Sequence, residues 1–184
     1  MRLFVSIDLP DRLADAVAAA QEPLADANGL RVTDPDQTHV TLKFLGNVPD
    51  QRIAGLTDAL SGAVETASIE PFSATIGGLG AFPSTDYIRV VWLGVREGAA
   101  EMTQLHDAIE SATVELGFSP ETYDFTPHVT IARMEHAGGK ELVQETLRTA
   151  NPTVGEFRVA DVRLTESVLT DDGPVYSTVE RFPL

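Results

Sequence analysis

The chain contains no cysteine. That excludes disulfides, thiolate nucleophiles and Cys-type zinc sites. Lysine is almost as scarce, with only Lys43 and Lys140, and Trp92 is the single tryptophan. No apolar run reaches membrane-spanning length, so no transmembrane helix is expected. The opening MRLFVSIDLP meets Asp8 and Pro10 too early for a signal peptide; it is expected to form a first strand of a cytoplasmic protein. No H-x-H or H-E-x-x-H metal pattern occurs. The GGLG stretch at 77–80 lacks both the G-x-G-x-x-G spacing and a following helix, so it reads as a bend rather than a phosphate cradle.

Acidic residues are plentiful. Asp plus Glu number 28 against 13 Lys plus Arg, a net charge of −15. With so few lysines, this balance suggests adaptation to a very salty cytoplasm, where carboxylates hold water and ions. At ~1 M salt the Debye length is about 3 Å, so global charge neither steers nor repels a partner. An acidic chain can then still act on a polyanion through a local basic pocket, although nucleic-acid binders are usually basic.

At 184 residues the chain suits one large domain or two small lobes. Strand and helix patterns alternate throughout. Strands are expected over 3–9, 39–46, 72–82 (broken at its glycines), 87–95, 128–134, 157–167 and 175–182, the last two joined by a turn at TDDGP. Helices are expected over 11–27, ended or kinked by Pro23, and over 51–66, 99–117 and 139–150. The fold class is α/β (α+β) with mostly antiparallel pairing.

One pattern occurs twice: His39-Val40-Thr41-Leu42 and His128-Val129-Thr130-Ile131. In a chain with 4 His and 43% hydrophobic residues, His-apolar-Thr-apolar should arise by chance roughly 0.07 times. On a strand, the His and Thr of one unit project from the same face. An imidazole with a pKa near 6.5 gives or takes a proton at neutral pH. The stiff, β-branched Thr holds its hydroxyl toward an anionic oxygen. Two facing units supply an acid, a base and two hydroxyls around one centre, which suits phosphodiester chemistry without a metal or cofactor. Strict alternation also sends Lys43 the way of His39 and Thr41, making it a candidate phosphate contact. The same rule turns Arg133 to the Val129/Ile131 face unless the strand ends or bulges near Ala132. His106 and His136 read as surface residues, and Trp92 as core in preference to a base-stacking platform.

These twin units resemble the paired H-x-T-x motifs of the 2H phosphoesterase superfamily, and more closely the RNA 2′,3′-cyclic phosphodiesterases, also called 2′-5′ RNA ligases. The similarity runs along nearly the whole chain, through RLFVSIDLP, HVTLKFLGNV, Gly80, Phe82, Pro83, the run from Arg89 to Val95, and FTPHVTIAR. The resemblance implies a bilobal domain over 1–184 with pseudo-two-fold symmetry, two mostly antiparallel sheets lining a central cleft with helices outside, and one motif per lobe (39–42 and 128–131). It implies hydrolysis of an RNA terminal 2′,3′-cyclic phosphate to a 2′-phosphate. His39 matches the proton donor, His128 the proton acceptor, Thr41 and Thr130 the phosphate-binding hydroxyls, and Arg133 a basic substrate contact. The expected partner is an RNA or oligonucleotide end, with no membrane, no metal and a monomeric protein. The alternatives are 2′-5′ ligation by the reverse reaction and a nucleotide- or RNA-binding module without catalysis.

Overall fold

The computed structural model describes residues 1–184, and its strands build the cleft. Nine of them form one sheet: β1 (Arg2–Asp8), β2 (Leu30–Val32), β3 (His39–Asn47), β4 (Phe72–Pro83), β5 (Ile88–Glu97), β6 (His128–Met134), β7 (Thr153–Val159), β8 (Asp161–Thr170) and β9 (Gly173–Pro183). The order is β7-β4-β5-β6-β3-β1-β8-β9, with β2 added beside β6. All pairings are antiparallel.

The two expected sheets are thus joined into one at the β3–β6 seam, with β7, β4, β5, β6 and β2 on one side and β3, β1, β8 and β9 on the other, and the seam itself is a single pair, Val40 opposite Val129. Both valines are fully buried, as are Ile131 and Leu42. Alternation along a strand then turns the neighbours of each valine to the opposite, open face. Helices α1 (Ala14–Gln21) and α4 (Lys140–Thr149) cover the β4–β7 half, while α2 (Asp50–Ala67) and α3 (Ala99–Glu115) pack together behind β3, β5 and β9.

Each long helix buries one stripe. In α2 it is Leu56, Leu60, Ala63 and Val64, and in α3 it is Met102, Leu105, His106, Ile109 and Thr113. Spacings of three and four keep each set on one face.

Four expectations about elements change. The helix expected over 11–27 is α-helical only over Ala14–Gln21; a 3-10 turn follows at Glu22–Leu24, where Pro23 supplies no N–H to continue the ladder. The strand β2 carries too short a pattern to be visible in the sequence. The strand expected over 157–167 is two strands, β7 and β8, divided at Ala160. The glycines of β4 do not bend the chain out of the sheet. Gly78, at φ 78°, makes a bulge through which pairing with β5 and β7 continues.

Candidate active site

The register at the seam determines the arrangement of the two motifs. With Val40 opposite Val129, antiparallel pairing sets His39 across from Thr130 and Thr41 across from His128. The four predicted side chains thus surround one point, related by an approximate two-fold axis through the valine pair. All four are half-buried.

Both imidazoles are held in the same way. His39 Nδ1 lies 2.9 Å from the Gln37 carbonyl oxygen, and His128 Nδ1 lies 2.7 Å from that of Thr126. A carbonyl can only accept, so each Nδ1 carries the proton and donates it. Each Nε2 is left free to take or give a proton in the cleft. Aromatic rings fix the planes further. The Tyr176 ring stands edge-on to His39 at 5.1 Å, and the Phe82 ring edge-on to His128 at 4.8 Å.

Both histidines titrate below the ordinary value. Removal from water lowers His39 most. The Gln37 carbonyl and the Asp8 carboxylate pull the other way, and Arg133 adds to the lowering. For His128 desolvation again leads, opposed by the Thr126 carbonyl and reinforced by Arg133 and by His39 itself. A carboxylate beside only one imidazole makes the pair unequal: Asp8 is the strand partner of His39, whereas Gly94 is the strand partner of His128. Asp8 is itself held by Ser6 Oγ, which donates at 2.9 Å, and by Arg163 Nη1 at 2.7 Å.

Lys43 and Arg133 exchange the places that strict alternation assigns them. In β3, Ser6 pairs with Thr41 and Val5 with Lys43, so Leu42 is an extra, unpaired residue. In β6, Trp92 pairs with Thr130 and Val91 with Ala132, so Ile131 is extra. Each motif is therefore followed at once by a β-bulge, which reverses the facing of everything beyond it. Lys43 is turned inward and is 2% exposed. Its ammonium lies 2.6 Å from Glu110 Oε2, an ion pair rather than an aligned hydrogen bond, and donates to the Ser119 carbonyl at 2.8 Å. The expectation that Lys43 meets a phosphate is overturned. Arg133 turns outward and lines the cleft with His39, Thr130 and Tyr176, so the bulge removes the conflict over its facing. Phe44 holds the matching place in β3 and lines the cleft beside Thr41 and His128.

Two residues missed by the sequence reading hold these bulges. The carbonyl of Leu42 accepts from His106 Nδ1 at 2.7 Å, and that of Ile131 accepts from Gln21 Nε2 at 3.0 Å. His106 is therefore not a surface residue. It is 5% exposed, with its ring stacked on Phe125 at 4.1 Å. A signal existed: residues 102, 105, 106, 109 and 113 share one helical face, which puts His106 in the apolar stripe. Gln21, one residue after the alanines of α1, gave none. His136 is exposed as expected. Trp92 is half-buried and backs His128 at 5.9 Å, its ring occupying the space that a side chain at Gly80 would need.

No group of three or more His, Asp or Glu residues is arranged to hold a metal ion. No helix is long and apolar enough to cross a membrane.

An antiparallel sheet that sets two strand-borne histidines and two threonines about one seam defines a class of phosphoesterase. The chain belongs to the 2′-5′ RNA ligase superfamily, whose pattern matches residues 9–170. It is 33% identical over 182 residues to the RNA 2′,3′-cyclic phosphodiesterase of Archaeoglobus fulgidus, covering 99% of each chain. To the protein of the same name from Methanothermobacter thermautotrophicus it is 34% identical over 186 residues, covering 100% of this chain and 99% of that one. The crystal structure of TT0787 of Thermus thermophilus superposes with a TM-score of 0.81 at 29% identity, across 100% of this chain and 98% of that chain. The crystal structure of E. coli LigT complexed with 3′-AMP has the same fold, with a TM-score of 0.80 at 24% identity over 100% of this chain and 97% of that one.

Proposed function

We propose that this chain hydrolyses the 2′,3′-cyclic phosphate at an RNA 3′ end to a 2′-phosphate, without a metal, as one unit over 1–184 with a motif in each half. The observation that carries the reading is the Val40–Val129 pair, because it brings two imidazoles with free Nε2 atoms and two hydroxyls to one centre.

The reaction is an in-line displacement. Water attacks phosphorus as His128 Nε2 takes its proton; the P–O3′ bond breaks as protonated His39 gives its proton to the departing 3′ oxygen. The P–O2′ bond survives, so the products are a 2′-phosphate and a 3′-hydroxyl. Thr41 and Thr130 donate to the non-bridging oxygens, and Arg133 offsets their charge. Burial lowers both histidines most, but Asp8 opposes it at His39 alone, while His128 has only Gly94 opposite; this difference supports His39 as the acid. An incoming dianionic transition state favours protonation of the acid still further. By microscopic reversibility the same groups serve ligation to a 5′-hydroxyl, but water at ~55 M favours hydrolysis unless a second RNA end is held in place.

The test is a short RNA ending in a 2′,3′-cyclic phosphate, incubated with the protein and EDTA from low to multimolar KCl, with product identification. Conversion to the 2′-phosphate, abolished in His39→Ala, supports the reading, and better turnover at high KCl supports salt adaptation. Tight nucleotide binding with no turnover at any salt would replace it with a non-catalytic binding module.

A further inference from the structure

The carbonyls that orient the two imidazoles are held in different ways. The Gln37 carbonyl beside His39 belongs to a 3-10 turn at Pro35–Gln37, and local bonds fix that turn. The Asp34 carboxylate accepts the Asp36 N–H at 2.9 Å, and the Asp34 carbonyl accepts the Gln37 N–H at 3.1 Å. The Gln37 side chain is anchored too, its Oε1 accepting the Tyr176 N–H at 3.0 Å. The Thr126 carbonyl beside His128 has no such support. It lies at the end of a loop, 119–127, that contains no helix or strand and makes no backbone-to-backbone hydrogen bond.

Side chains hold this loop instead, and they lead back to the other motif. The bulge after Thr41 turns Lys43 inward, where it donates to the Ser119 carbonyl at 2.8 Å and pairs with Glu110 Oε2 at 2.6 Å. The other oxygen of Glu110, Oε1, accepts the Glu121 N–H at 2.7 Å. Burial opposes a charge on Glu110, but Lys43 and the Glu121 N–H outweigh it, so the carboxyl titrates below its ordinary value. One turn earlier in α3, His106 donates to the Leu42 carbonyl of the same bulge, and the Phe125 ring lies flat on it at 4.1 Å. Residues four apart share a helix face, so His106 and Glu110 together bridge the β3 bulge to the loop. The last anchor, Phe125, stops one residue short of the Thr126 carbonyl.

That carbonyl matters for the state of His128 as well as for its aim. Only the Nδ1–H tautomer leaves the Nε2 lone pair free to take a proton, and the hydrogen bond made by Nδ1 selects that tautomer. A free neutral imidazole in water prefers its proton on Nε2. A loop that moved away would therefore release the ring and turn its lone pair from the cleft.

We propose that Lys43 and Glu110 are positioning residues for His128: their buried pair fixes the loop whose Thr126 carbonyl holds that imidazole as the Nδ1–H tautomer. The role of His128 as base rests on the phosphodiesterase reading, whereas its tautomer does not. The strand of one motif thus supplies one histidine and, through the bulge beyond it, the alignment of the other.

NMR of the imidazole nitrogens reads the tautomers directly in the full protein at about pH 8, where both rings are neutral. In the native protein His39 and His128 should both be Nδ1–H. In K43M, and in the milder E110Q, which keeps an oxygen for the Glu121 N–H, His128 should shift toward Nε2–H while His39 stays as it was. On cyclic-phosphate RNA, kcat of both variants should fall roughly ten- to a hundred-fold with KM unchanged, because a misplacement of about 1 Å costs rates of that order. V143A controls for lost stability: Val143 is fully buried in α4, which packs against β4, and its loss should leave both tautomers unmoved. A native His128 in the Nε2–H form overturns the proposal. So does an unchanged His128 in both K43M and E110Q, or an equal shift in V143A. A native protein that does not turn over RNA, yet shows the His128 shift in K43M, supports the positioning and removes the catalytic reading alone.

Discussion

The two halves of the sheet share a backbone plan and differ in what hangs on it. In both, a central strand carries His-apolar-Thr, a bulge follows, and a buried helix side chain holds the bulge carbonyl: His106 from α3 in one half, Gln21 from α1 in the other. Both histidines donate through Nδ1 to the carbonyl two residues before. The side chains then part company. Asp8 corresponds to Gly94, Ser6 to Trp92, Lys43 to Ala132, and Phe44 to Arg133. Repetition fixes the positions of the reactive groups, whereas departures from repetition give them different electrostatic surroundings. A perfectly symmetric site would hold two equivalent imidazoles, with nothing to decide which keeps its proton.

The sharpest test of the shared part is removal of either imidazole. His39→Ala and His128→Ala should each reduce kcat/KM on the cyclic-phosphate RNA by about 10²–10⁴. A variant of either kind that keeps full activity breaks the idea that both halves contribute to one reaction.

Breaking the buried ion pair tests a feature found in one half alone. Lys43→Met leaves Glu110 without its cation. It should cost about 3 kcal/mol in stability, the low end for such a change because Glu110 keeps a path to solvent. Urea unfolding reads this directly. If Lys43→Met instead left stability alone and raised KM, Lys43 would be a substrate contact after all.

Arg133→Gln should lower kcat/KM by roughly ten- to a hundred-fold through loss of a charge-assisted contact. It should also move the pH profile. Arg133 lowers both histidines, so removing its charge raises both and shifts the profile to higher pH. A fall in rate with an unmoved profile would mean that Arg133 does not face the two imidazoles.

His106→Phe keeps the ring on Phe125 but orphans the Leu42 carbonyl, at a cost of about 1–3 kcal/mol. Gln21→Met does the same to Ile131 in the other half. Both should lower Tm and kcat/KM together, with His106→Gln recovering part of the loss because an amide N–H can replace the ring donor. No recovery would reduce His106 to a packing residue.

The smallest expected effect concerns pH. Burial lowers both histidines, so the native protein's kcat/KM profile should be a bell centred below pH 6.5. Asp8→Asn removes a charge that raises His39. His39 then loses its proton at lower pH, and the descending limb alone should move to lower pH. Movement of the ascending limb instead would exchange the roles of the two histidines.

Much of this site could be read before the fold was known. The doubled motif identified four side chains, because a two-residue repeat on a strand forces His and Thr to one face whatever the strand pairs with. The glycine at 94 and the carboxylate at 8 were visible as residues, but nothing in the sequence made them partners of the two histidines. Lys43 was misplaced, and the facing of Arg133 left open, for a common reason. Each lies beyond a bulge, and a bulge depends on which residues of a neighbouring strand are paired. Leu42 and Ile131 look like ordinary core residues in the chain, and only the ladders to β1 and β5 reveal them as extra. His106 was within reach, since its helix places it on the buried stripe, but its role depends on the Leu42 carbonyl brought against it from 64 residues away.

The sequence by itself determined the α/β class, the acidic and cysteine-free composition and the four groups able to move protons and hold a phosphate, because these follow from residue type and local periodicity. The tertiary structure decided that the two motifs meet at one valine pair, that Arg133 and Phe44 face the cleft while Lys43 does not, and that Asp8 distinguishes one histidine from the other. Those outcomes rest on strand register and bulge placement, which are set by pairing between distant segments and leave no mark on either segment alone.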